Sequence, residues 1–233
     1  MKDKPSININ THTFRNDLRT DRKKALLISG GYEPHKPKEK AEILASILVS
    51  EGFDVEMTDS WDVFDDKEKI MQLDLIVPNY TMGTITSQQL DNFLEAVANG
   101  TGVAGMHGGM GDALRAEVRY QLMVGGQFMT HPEYRYKVQI LKKDHPITTG
   151  INDFELQDEH YYMLIDPGID VLATSYYEPS PPEITTPAYM PIIWTKKYGK
   201  GRVFYSSIGH SPETLRKPEV LTLMRRGMVW AAR

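Results

Sequence analysis

From Lys24 to Val124 the chain alternates short apolar runs with amphipathic stretches. Ala25 to Ile28 is an apolar run that ends in Ser29-Gly30-Gly31, the pattern of a buried parallel strand feeding a glycine-bearing loop. Ile43, Leu44, Ile47 and Leu48 then recur at helical spacing, with Gly52 placed to cap the helix. Phe53 to Met57 predicts a strand, Asp65 to Gln72 a short helix, and Leu73 to Val77 a buried strand closed by Pro78. Thr86-Ser87-Gln88-Gln89 has the form of a capping box, followed by Leu90, Phe93, Leu94 and Val97 on one helical stripe. Gly102 to Met106 predicts another strand, and Asp112 to Val124 a helix behind the turn His107-Gly108-Gly109. Strands and helices in this alternation imply a doubly wound, mostly parallel sheet flanked by helices.

After Gly125-Gly126 the pattern becomes β-rich, with strands expected at Arg135 to Leu141, Val171 to Tyr176, Ile192 to Lys197 and Arg202 to Ser207. Tyr198-Gly199-Lys200-Gly201 predicts the hairpin turn between the last two. Pro179, Pro181, Pro182 and Pro187 mark an exposed loop, and a helix from Pro218 to Arg233 closes the domain with Leu221, Met224 and Met228 on one stripe. Residues 1–23 are polar and weakly periodic and read as an N-terminal extension. Residues 24–233 then form a single α/β domain.

Composition narrows the chemistry. The 233 residues carry a net charge of -4, with Lys and Arg scattered, which argues against a nucleic-acid partner. No stretch approaches the roughly 18 apolar residues of a membrane span, and the start lacks a secretory signal, so the expectation is a cytoplasmic protein with no membrane partner. There is no cysteine. Thiol catalysis, disulfides and thiolate metal sites are therefore excluded, leaving histidine, carboxylates, hydroxyls and lysine.

In open α/β sheets ligands bind beyond the carboxyl ends of the strands, and His35, His107, His131, His160 and His210 all fall after strands or turns of that kind. Gly105-Met106-His107-Gly108-Gly109 has the small-x-residue-x-small form of a strand-to-helix elbow, with histidine where hydrolases carry serine or cysteine; the competing reading is a turn cap. Asp158-Glu159-His160-Tyr161-Tyr162 concentrates acid–base groups, although alternation along a strand allows only half of them to face one pocket. His145 in Asp144-His145-Pro146 is assigned to a turn, whereas Gly209-His210-Ser211 follows a strand and joins the site. Tyr80 follows the third strand and walls the crevice.

The run Asp144-His145-Pro146-Ile147-Thr148-Thr149-Gly150-Ile151, then Asp158-Glu159-His160-Tyr161, Gly199-Lys200-Gly201-Arg202-Val203-Phe204-Tyr205 and Gly209-His210-Ser211, resembles the trehalose-utilisation ThuA-like family. With Gly105-Met106-His107 and Gly125-Gly126-Gln127-Phe128-x-x-His131, the resemblance spans residues 24–233. It implies a class I glutamine amidotransferase-like, flavodoxin-like fold with β-rich additions in the second half, His107 standing at or beside the position of the amidotransferase cysteine. It also implies sugar catabolism. Carried over residue by residue, it gathers His35, His107, His131, Glu159, His160 and His210 around one crevice, with Asp112 at the next helix start.

Two functions compete. The first is an enzyme acting on an oxidised (3-keto) sugar or glycoside, with His107, Glu159 and His160 as acid–base groups and His35, Tyr80, Asp112, His131 and His210 binding substrate. A divalent metal such as zinc would draw its ligands from His35, His107, His131, His160 and His210, and a metal-free site is the alternative. The second is a non-catalytic sugar-binding or regulatory protein, with Trp61, Tyr80, Tyr161 and Tyr162 stacking on a pyranose. The β-rich half and the proline loop are compatible with a homo-oligomer.

Overall fold

A computed structural model describes residues 22–233. All but the last two residues of the expected N-terminal extension lie outside the described residues. The first half runs β1 (Lys24–Gly31), α1 (Pro37–Ser50), β2 (Asp54–Thr58), α2 (Lys67–Ile70), β3 (Leu75–Thr81), α3 (Ser87–Ala98), β4 (Gly102–Met106), α4 (His107–Gly111) and α5 (Val118–Val124). The second half runs β5 (Gly126–Thr130), β6 (Glu133–Ile140), β7 (Phe154–Glu159), β8 (Tyr162–Ile165), β9 (Asp170–Tyr177), β10 (Ala188–Tyr198), β11 (Gly201–Ser206), α6 (Pro212–Leu215) and α7 (Pro218–Ala231).

Among the described residues the main sheet has nine strands in the order β2-β1-β3-β4-β11-β10-β9-β6-β7, and β5 pairs with β8 in a small second sheet. Strands β2, β1, β3, β4 and β11 run parallel, as a helix-crossover rhythm requires, and their Leu26, Leu27, Ile28, Val77, Val103, Ala104 and Phe204 are completely buried. From β11 outward through β10, β9, β6 and β7 every pairing is antiparallel. The expected mostly parallel sheet is thus parallel over only half its pairings. The reason is connection length: the β10–β11 turn is two residues, with Gly199 at φ 58, and a link that short permits only an antiparallel return.

Local chemistry explains the element ends. The α3 capping box is present in both directions, Thr86 Oγ1 accepting from Gln89 N–H and the Gln89 side chain accepting from Thr86 N–H. The helix expected from Asp112 to Val124 is not continuous. Helix begins at His107, stops at Gly111 and resumes at Val118, because the Asp112 and Ala113 carbonyls accept from Met82 and Gly83 N–H at 3.0 and 2.7 Å instead of from the next helical turn. The expected Asp65 to Gln72 helix is likewise split into a 3-10 turn over Trp61–Asp65 and a short α2. His145 fulfils its turn role, its Nδ1 accepting from Ile147 N–H.

Candidate functional site

His107 sits where β4 turns into α4, with φ 48, a left-handed conformation costly for a residue with a side chain. The flanking glycines make the turn feasible. A Cβ on Gly108 would come within 2.7 Å of the His35 ring and 3.0 Å of the Tyr161 hydroxyl, and one on Gly109 within 2.9 Å of the Asn79 backbone. The elbow holds the His107 ring fully buried, stacked on Tyr161 with centroids 3.9 Å apart. Its Nδ1 lies 2.9 Å from the Ser207 carbonyl oxygen and its Nε2 3.0 Å from Glu159 Oε2.

Those two contacts constrain the proton. A carbonyl only accepts, so Nδ1 carries hydrogen, and in the neutral ring Nε2 is then a bare lone pair facing a carboxylate oxygen. A proton or a metal ion between them would relieve the contact of the two lone pairs.

Glu159, at the end of β7, reaches three rings at once: His107, His210 Nδ1 at 3.1 Å and His131 Nε2 at 3.5 Å. His210 Nδ1 is buried and, despite that short distance, has no aligned hydrogen-bond partner among the described residues. His35, in the turn between β1 and α1, hydrogen-bonds through Nδ1 to Thr81 Oγ1 at 2.9 Å, which leaves its Nε2 to the cluster. His35, His107, Glu159 and His210 each offer a ligand atom, and these atoms lie within 4.8 Å of one another.

The electrostatics hold two of the imidazoles, His35 and His107, toward the unprotonated form that a metal ion requires. Burial, helped by the neighbouring His107, pushes His35 down to about 3, and burial lowers His107 as well, against the pull of Glu159. Burial disfavours ionisation of Glu159, but the His107 and His210 rings set against its two oxygens outweigh it and hold the carboxyl far below its usual range. Only His210 is raised, by Glu159. His35 and His107, held toward the neutral form, together with His210 and an ionised carboxylate form a donor set suited to zinc or a similar divalent ion.

The remaining sequence candidates are distributed otherwise. His131 is at the rim, with a side chain 36% exposed beside Glu159. His160 is not brought into the cluster: the chain turns after Glu159 and buries its ring against Tyr136 at 4.1 Å, with Nδ1 2.7 Å from the Tyr134 hydroxyl. Asp112 is buried elsewhere, held by Arg115 and Gln127, and does not join the cluster. Tyr80 packs against Trp61 and lines a neighbouring cleft.

Sequence reasoning missed the supports. Asp158, 4% exposed, accepts from Gly209 N–H at 3.0 Å and from the Thr214 hydroxyl at 3.2 Å. Buried Lys40 donates to the Gly209 carbonyl at 3.1 Å, so the peptide carrying His210 is clamped from both sides. A lysine on the apolar stripe side of α1, beside Ala41 and Leu44, was the available signal for the second of these.

The family model for ThuA, described as trehalose utilisation, matches residues 24–231. No protein with a curated description matches the chain. Among solved structures, a protein described as ThuA-like from Parabacteroides merdae superposes with a TM-score of 0.71 at 22% identity, covering 91% of this chain and 90% of that one. One from Bacteroides uniformis gives 0.73 at 20% identity over 93% and 94%. A cytoplasmic protein from Salmonella typhimurium gives 0.63 at 16% identity over 90% and 100%. At these identities the likeness is one of fold.

Proposed function

The chain belongs to the ThuA, trehalose-utilisation family, and from that premise we infer that it is a metal-assisted enzyme acting on an oxidised (3-keto) sugar or glycoside. The observation that carries this reading is His107 Nε2 set 3.0 Å from Glu159 Oε2, with His35 and His210 completing a group of ligand atoms within 4.8 Å of one another. When bound, a divalent ion supplies Lewis acidity that polarises a sugar oxygen.

The protein's own groups do the rest. His35, His107, Glu159 and His210 would hold the ion, Thr81 and the Ser207 carbonyl fix the two buried rings, and Tyr161 covers His107 from solvent. His131, half-exposed beside Glu159, is the proton carrier facing substrate. In a 3-keto glycoside the carbonyl acidifies the hydrogen on the neighbouring C2. His131 takes that proton, the electron pair forms the C1–C2 double bond, and the C1–O bond breaks toward the leaving alkoxide, which takes the proton from the His131 imidazolium and departs as the alcohol. With no cysteine, the chain has no route to glutamine amidotransferase chemistry. No described helix is long and apolar enough to cross a membrane, and we place the reaction in the cytoplasm, in keeping with the description of the Salmonella neighbour.

The test is deuterium exchange at C2 of a 3-keto glucoside in heavy water, with and without added divalent metal. Metal-dependent exchange that is lost in His131→Ala supports the reading. Tight sugar binding with neither exchange nor turnover under any metal would replace it with the binding-protein alternative.

A further inference from the structure

A cleft of about 680 Å³ opens at the carboxyl ends of β1, β2 and β3, beside the start of α1, and none of the metal-cluster side chains lines it. Its size is that of a small-ligand site, roughly 300–1,000 Å³. Its lining has a particular chemistry. Glu33, Lys38, Glu42 and Asp59 are exposed around it and have no ion-pair or hydrogen-bond partner for their side chains among the described residues. Their excess of carboxylates over ammonium disfavours an anion. The carboxylates do not converge either, since among the described residues the only group of ligand atoms close enough to hold an ion is the histidine cluster.

Spread acceptors with one donor suit a ligand whose hydroxyls are also spread. Tyr80 supplies the apolar wall. Its ring is fixed by Trp61 at 5.7 Å and lies over Gly30, where a Cβ would come within 2.6 Å of it.

The cleft and the cluster share a boundary. Glu33 lines the cleft and His35, two residues on, belongs to the cluster, a separation of at most about 7 Å along the backbone. On the other side Tyr80 faces the cleft while the next residue, Thr81, holds His35. Tyr32, the chain neighbour of Glu33, is 45% exposed, with its ring edge-on to His35 at 5.0 Å.

We propose that this cleft is a second subsite for a neutral glycoside: the sugar unit that does not react lies against Tyr80 and hydrogen-bonds Glu33, Lys38, Glu42 and Asp59, while the linkage crosses Tyr32 to the cluster. The proposal rests on the sugar-directed reading of the cluster and assigns its substrate two binding units.

The probe is unoxidised α,α-trehalose, which lacks the carbonyl needed for turnover, titrated calorimetrically into the metal-loaded full chain. Glu42→Ala combined with Asp59→Ala changes only exposed side chains, so the fold is retained. The expected result is a dissociation constant raised about tenfold or more, with metal content per chain unchanged. Tyr32→Ala weakens the disaccharide but spares glucose. Equal disaccharide affinity in the double variant and the parent, or no disaccharide binding, would overturn the subsite. Metal stoichiometry, read separately on the same samples, reports on the cluster, so the two readings fail independently.

Discussion

Truncating Asp158 to alanine strikes the clamp that seats His210. The carboxylate is buried and accepts from Gly209 N–H at 3.0 Å and Thr214 Oγ1 at 3.2 Å, with His210 N–H at the 3.5 Å limit. Each of the two shorter bonds has an ionised acceptor and is worth about 1.5–3 kcal/mol, and the last contributes little. Burial pulls Lys40 down to about 8, an effect that the Asp158 charge opposes, so removing Asp158 also leaves a buried ammonium less compensated. The expected loss of stability is about 3–5 kcal/mol, a large share of the roughly 5–15 kcal/mol available to a domain. Urea unfolding followed by circular dichroism measures it, and chelator competition on the same variant measures the loosened His210 as weaker metal binding. In a double-mutant cycle, Asp158→Ala with Lys40→Met should recover about 1–3 kcal/mol relative to the sum of the single changes. A single-variant loss under about 1 kcal/mol with metal affinity unchanged would refute the clamp.

Two further outcomes follow from the same geometry. Thr81→Ala removes the partner of His35 Nδ1 and should weaken metal affinity about 10–100-fold with little change in unfolding midpoint, measured by chelator competition. His160 is held down to about 4 by burial against an ordinary value of 6.5, so the unfolded chain takes up that proton first as pH falls. Its contribution is therefore a destabilisation of about 3 kcal/mol, absent above pH 6.5, growing as pH falls and complete near pH 4. His160→Phe should flatten that part of the stability–pH curve while leaving metal content intact; loss of metal in this variant would return His160 to the site.

Most of the parallel half of the fold was legible from local causes, as at Gly30-Gly31 and the Thr86–Gln89 box, but β3 does not close at Pro78: it pairs with β1 through Pro78 as far as Thr81, since a proline lacks only the N–H donor and its carbonyl can still pair. The elbow at His107 was legible for the same reason: the glycines record a close backbone approach that the structure contains. Strands β5, β7 and β8 were harder to read, since Phe154 to Glu159 alternates polar and apolar residues too briefly and pairs with distant segments. The orientation of His160 depends on the turn at the end of β7, which carries Glu159 into the cluster and its neighbour away from it. Asp158 and Lys40 stabilise the site through a backbone peptide, and a contact between residues so far apart in the chain leaves no local spacing to find.

The most direct test of the account is the metal content of the purified full-length protein, by elemental analysis after loading with divalent ions, beside the His107→Ala and His210→Ala variants. The parent protein should hold about one ion per chain, and either variant a small fraction of that. A parent protein that retains no ion, or variants that hold the ion as tightly as the parent, would contradict it.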